Sequence, residues 1–177
     1  EPTFTDLEPR AAGSSGDGYI WKYLYTISPS DIIKFDSLNF IPLPVDWETN
    51  SDFTPIRNNA KTSGQIKVAT IANRGYLVGP ANTTYTRVPI KGDGYGAECT
   101  IVINNDSKVE SITISNGGSG YTYGSVDLVA GNVPVGNTTP IFNIIIPPAG
   151  GHGYDVYREL GASNVLIFSR IENDDSN

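Results

Sequence analysis

The chain has 177 residues, enough for one ordinary domain or two small ones. Nineteen acidic against 12 basic residues give a formal net charge of −7 with no Lys/Arg cluster to offset it, which argues against nucleic acid and anionic membrane surfaces as partners. No segment approaches the ~18 apolar residues needed to cross a bilayer, and 19 Gly with 12 Pro favour short strands and tight turns over long helices.

The chain contains no methionine, even at position 1, and opens on EPTFTDLEPR without an apolar leader. It reads as a piece of a longer chain, with a mature secreted protein as the competing explanation. Residues 1–18, with Pro2, Pro9 and a Gly/Ser run, predict an irregular arm. YIWKYLYTIS (19–28) alternates aromatic and β-branched residues and predicts a strand covered on both faces. Next, Ser28 can cap, Pro29 suits a first helical position and Asp31 sits in a first turn, which predicts a short helix over 29–34. LNFIPLPVDW predicts a short strand stopped by Pro42 and Pro44. The polar, turn-rich stretch 48–64 predicts a domain boundary near residue 55.

From 65 to 147 apolar strands recur at short spacing: 66–72, 86–91, 97–104, 108–115, 125–130 and 139–147. INNDSKV (103–109) predicts a hairpin turn. VATIANRGY (68–76) resembles SITISNGGSGY (111–121), and each leads into two further strands at an offset of roughly 43 residues. Two copies are too few for a solenoid, which needs about three, so a pseudo-symmetric sandwich or barrel of two three-stranded units is expected. After Pro147 and Pro148, Asp155 caps a helical turn over 156–160 that Gly161 ends, and SNVLIFSRI predicts a last strand.

The residues that could carry chemistry have structural explanations. A phosphate-binding loop needs its glycines to open a helix and a following Lys-Ser/Thr. ISNGGSGYTYG (114–124) and KGDGYGAECT (91–100) both lead into strands instead, so they predict structural turns and no cofactor. His152 is the only histidine and sits in a glycine-flanked loop; no serine lies in a G-x-S-x-G elbow. Glu98 and Asp127 lie on predicted strands and are the pair to weigh as glycosidase carboxylates, against the simpler reading of solvent-facing positions. Asp31, Asp46, Asp93 and Asp106 fall in turns, and Asp174 and Asp175 in the tail; Asp93 is a turn carboxylate that calcium could use, though no D-x-[DN]-x-[DN]-G loop occurs. Cys99 alternates into a buried position and, being single, excludes an intrachain disulfide. Asn82, Asn105 and Asn137 begin N-x-[ST] triplets. Tyrosine remains: many of the ten sit beside glycine, among them Tyr121, Tyr123 and Tyr154, the candidate contact residues for a protein interface or a sugar.

GDGYIWKYLYTISPSDIIKFDSLNFIPLP (16–44) resembles a stretch of the baseplate wedge protein of T-even-type contractile-tailed phages, through Gly16, Asp17, Gly18, Tyr19, Trp21, Tyr23, Leu24, Pro29, Pro42 and Pro44. Residues 150–177 look like the return of the same host domain. Val109, Ser111, Ile112, Ile114, Asn116, Gly117, Gly118, Ser119, Gly120, Tyr121 and Thr122 are similar to a glycine–tyrosine β module of phage virion proteins. The resemblance implies a non-enzymatic, largely β structural part of the virion, dimeric in its full-length form and bridging neighbouring baseplate wedge proteins. The expectation is an all-β protein with one or two short helical turns. Residues 1–54 and 149–177 would form a host β-sandwich, with an antiparallel β module inserted over 55–148. The rival reading is a carbohydrate-binding or adhesin module.

Overall fold

The computed structural model describes residues 3–11, 19–76 and 78–171. Gly16, Asp17 and Gly18 of the resembling stretch, and Asp174 and Asp175 of the tail, lie outside the described residues. Within them the class is all-β: antiparallel strands outweigh three short helices.

The module is built from six strands: β3 (Val68–Asn73), β4 (Thr84–Gly92), β5 (Tyr95–Ile103), β6 (Val109–Ser119), β7 (Gly124–Val126) and β8 (Ile141–Ile145). β1 (Arg10–Ala11) and β2 (Ile20–Trp21) precede them in the chain. Period-two alternation sets the inner face. On β5, Ala97, Cys99, Ile101 and Ile103 are buried while Glu98, Thr100 and Val102 are half-buried on the other side. A bulge in β4, where Arg87 takes φ +56°, resets the register so that Val88 and Ile90 also point inward. The β5–β6 turn is held by Asn104 Oδ1, which accepts from the N–H groups of Asp106 and Lys108, and Ser107 supplies the left-handed residue.

Ladders join β6, β5, β4 and β7 in that order, and separately β3 with β8. β3 also lies beside β6, and β7 beside β8. The six strands therefore run as a ring, β3–β8–β7–β4–β5–β6. Exchanging β3 with β6, β4 with β7 and β5 with β8 maps this ring onto itself. The repeat read in the sequence is thus a property of the fold. It extends to a turn: Asn73 Oδ1 accepts from Gly75 N–H at 2.8 Å, and Asn116 Oδ1 accepts from Gly118 N–H at 3.0 Å. One apolar core fills the ring, drawn from both copies and including Ile66, Val88, Ile101, Val109 and Tyr121.

The remaining residues form a second, smaller core around Trp47, Ile56 and Val156. Its elements are a two-residue ladder of β1 (Arg10–Ala11) with β2 (Ile20–Trp21), α1 (Pro29–Phe35), a 3-10 turn over Ser51–Phe53, α2 (Thr54–Ala60) and α3 (Val156–Glu159). Ser28 caps α1 and Asp155 caps α3, each accepting from the N–H three residues on. Trp47 stacks on Phe53 with ring centroids 4.7 Å apart. It also donates from Nε1 to the Tyr154 carbonyl, and the Tyr157 hydroxyl donates to the Pro44 carbonyl. Segments that precede and follow the module are stitched together there.

Several expectations need correction. The sandwich expected for 1–54 and 149–177 is not formed among the described residues, which contain only the short β1–β2 ladder. Of 19–28 only Ile20–Trp21 pairs, and 38–47 and 163–171 are irregular. Alternation licenses a strand but does not supply a ladder partner, and no described segment offers one. The predicted strand 125–130 ends at Val126, because Asp127 starts a turn in which its Oδ1 accepts from Ala130 N–H. The stretch 48–64 carries α2, which the sequence reading missed. Pro55 opens it, and Ile56 packs into the second core, which moves the boundary from residue 55 to beyond Ala60.

Candidate interaction surface

The glycine–tyrosine run closes one end of the module. After Asn116 turns the chain, Gly118 adopts φ +58°; a Cβ there would sit 2.4 Å from the Tyr95 carbonyl oxygen. The chain then doubles back so that Tyr121 enters the core, 3% exposed. The β4–β5 ladder runs to Pro89↔Glu98 and stops one pair short of Ile90 and Ala97. The Tyr121 hydroxyl fills that gap. It accepts from Ala97 N–H at 3.2 Å and donates to the Ile90 carbonyl at 3.0 Å. Gly94 makes room for the ring, since a Cβ there would lie 2.5 Å from two ring carbons.

Asp93 locks the following residues from outside. Its Oδ1 accepts from the N–H groups of Thr122 (2.9 Å) and Tyr123 (3.3 Å), and its Oδ2 from the Thr122 hydroxyl at 2.6 Å. These bonds, the Thr122 hydroxyl first, hold the Asp93 carboxyl at about 2, below its ordinary 3.8. Both oxygens are committed to the chain, so the turn carboxylate weighed for calcium acts as a loop clamp.

Tyr121, expected as a contact residue, faces its own module, and the interface assignment is corrected for it. Tyr123 is 63% exposed, and Tyr95, at the start of β5, is 75% exposed. Tyr95 is one of the glycine-flanked tyrosines of the sequence, between Gly94 and Gly96, and opens β5 opposite Ser119. Tyr154 is exposed at the other core, beside Gly150. Tyr76, the tyrosine of the first repeat copy, stays half out of the surface under the Lys108 ammonium. The second copy carries two extra residues before its tyrosine, and these bring Tyr121 inside.

The other singled-out residues are dispersed. Asp127 is 8% exposed and not solvent-facing as expected. The Lys91 ammonium, 2.5 Å from its Oδ2, and the Ala130 N–H hold its carboxyl below the usual range. Its charge partner is thus a cation, whereas Glu98 lies on the outer side of β5 between Pro89 and Asn116. His152 Nδ1 meets Glu159 Oε1 at 2.5 Å, and Glu159 Oε2 accepts from Gly153 N–H. Burial pushes the Cys99 thiol up to about 11. Asn82, Asn105 and Asn137 all lie on exposed turns. Among the described residues no three His, Cys, Asp or Glu side chains converge as metal ligands would, and no helix is long and apolar enough to cross a membrane.

A second surface feature stands out around the smaller core. Val165, Ile167 (87% exposed) and Ile171 project from the unladdered segment 163–171, and Leu38, Ile41 and Val45 from the segment after α1. The segment 163–171 meets α1 through Phe168, which packs edge-on to Phe35 and under Lys34.

No protein-family model matches this chain, and no curated protein or solved structure is significantly similar to it.

Proposed function

We propose that the chain is a structural component of a phage tail baseplate wedge that works through protein–protein contacts rather than catalysis. The observation that carries this reading is the run of exposed apolar side chains along 163–171, with its strand-like alternation and no ladder. Large apolar side chains cost free energy in water, and soluble surfaces rarely gather them outside contact sites. An apolar segment that forms no ladder among the described residues is suited to β-augmentation, in which a neighbour's edge supplies the hydrogen bonds. The resemblance of residues 16–44 to the wedge protein points to the neighbours: other baseplate wedge proteins, a second copy of the full-length chain, and hence a virion location.

The test is copurification of the full-length protein with candidate wedge proteins. Complex formation is expected, and Ile167→Glu, at an exposed position, should weaken it while leaving the thermal melt unchanged. The second reading, carbohydrate binding, draws on Tyr95 and Tyr123 beside Asp93. Failure to join any wedge complex, together with saturable glycan-array binding lost in a Tyr95→Ala/Tyr123→Ala double variant, would replace the assembly reading with this one.

A further inference from the structure

A cleft of about 450 Å³ separates the two cores, lined by β2, α2, β3, the end of β8 and the loop before α3. Its walls are mainly apolar, with Leu24, Val68, Ile145 and Pro147 among them. The polar end has an unusual charge arrangement. Lys22 Nζ and Lys67 Nζ both donate to one atom, Asn59 Oδ1, at 3.1 and 3.0 Å. Lys67 is neutralised by Glu8, at 3.0 and 3.2 Å to its two carboxylate oxygens, and Asn59 Nδ2 braces that carboxylate at 2.9 Å. Lys22 has no such partner: among the described residues it makes this one hydrogen bond and no ion pair. The acid on the facing wall, Glu159, is already engaged by His152 and Gly153 N–H.

An ammonium drawn partly out of water is normally paired, because its desolvation is otherwise uncompensated. Lys22 retains two donors and lines an apolar cleft of the volume that small ligands occupy. Burial, and then the neighbouring Lys67 charge, push its pKa down from 10.5, and the Glu8 and Glu159 charges offset this only in part. We propose that this cleft binds a small organic carboxylate, whose head group accepts from Lys22 Nζ and whose apolar body lies against Leu24, Val68, Ile145 and Pro147. The site is independent of the assembly reading, which uses other residues. Glu8 and Asn59 are positioning residues here: they hold Lys67 aside and orient the shared amide.

The test uses the whole chain, with octanoate as the probe and 1-octanol as the uncharged control, in isothermal titration calorimetry. Octanoate should bind saturably at one site, and 1-octanol about tenfold or more weaker, because it lacks the charge-assisted bond. Lys22→Met should reduce octanoate affinity by a similar factor, and Lys22→Arg should restore most of it. Val68→Phe, which fills the cleft and leaves the lysines in place, should abolish binding of both probes; it serves as the second variant if Lys22→Met fails to fold. Absence of octanoate binding, equal affinity for octanol, or binding indifferent to both Lys22→Met and Val68→Phe would each overturn the proposal.

Discussion

Replacing Tyr121 with Phe removes a single oxygen and leaves the ring in place, so the experiment isolates the hydroxyl that spans the open rung between Ile90 and Ala97. Both backbone groups are buried, and water cannot substitute for the lost partner. A stranded buried donor or acceptor costs ~1–3 kcal/mol. Two are created here, partly relieved if the hairpin closes on itself, which puts the loss at about 2–3 kcal/mol. For a chain of this length, at roughly 2–4 °C per kcal/mol, the melting temperature should fall by about 5–10 °C. Urea and thermal unfolding followed by far-UV circular dichroism measure this directly. Tyr123→Phe is the control: its ring is exposed, and it should stay within about 0.5 kcal/mol of the parent. If Tyr121→Phe melts together with the parent and the control, the hydroxyl does not hold the rung and the corner is closed by something else.

Three further outcomes follow from the same geometry. Asp93 has its pKa depressed to about 2 by the loop it clamps, so its contribution is fully present above the ordinary 3.8 and is lost as pH falls through about 2. The amide resonances of Thr122 and Tyr123 should titrate in that window, and Asp93→Ala should remove the titration and speed their hydrogen exchange at every pH. Cys99, buried with its thiol raised to about 11, should resist a thiol reagent at pH 8 in the folded chain and react promptly in urea. Trp47→Ala should cost about 3–5 kcal/mol in urea unfolding, because it empties the centre of the smaller core.

The module was legible in the sequence because its strands carry their own period-two pattern, and β4, β5 and β6 pair across short hairpins. Cys99, read as buried from the alternation of AECTIVI, lies on the inner face of β5 with Ala97, Ile101 and Ile103. The smaller core was not legible for two physical reasons. Its contacts join residues more than 100 positions apart, such as Trp47 with Tyr154 and Tyr157, so no local period marks them. Its strand-like segments also lack ladders, and composition is silent on whether a partner exists. TPIRNNA hid a helix behind two asparagines, although Pro55 at the first turn was a start signal. At the surface, glycine neighbours marked tyrosines near turns but not their direction. Tyr121 and Tyr123 are two residues apart and end in a core and in solvent, because Asp93 fixes the backbone between them.

The module's ability to stand alone is the remaining prediction, and it follows from where its chain enters and leaves. The first strand of the ring pairs with the last, Val68 opposite Ile145, so the two crossing points sit side by side. Among the described residues its core draws only on Ile66 to Ile146. A unit with adjacent ends and a self-contained core can sit in a host loop without either part depending on the other's packing. Residues 62–148 exceed the ~55–65 residues at which isolated domains become self-supporting. Expressed alone, they should give a β-type circular dichroism spectrum and a single cooperative urea transition. Tyr121→Phe should lower that transition by the same free energy as in the whole chain, since every partner of the hydroxyl lies inside the fragment. A fragment that melts without cooperativity would mean that the ring closes only when the smaller core holds its ends together. In that case the two cores are one folding unit, and the repeat's symmetry alone does not make the module stable.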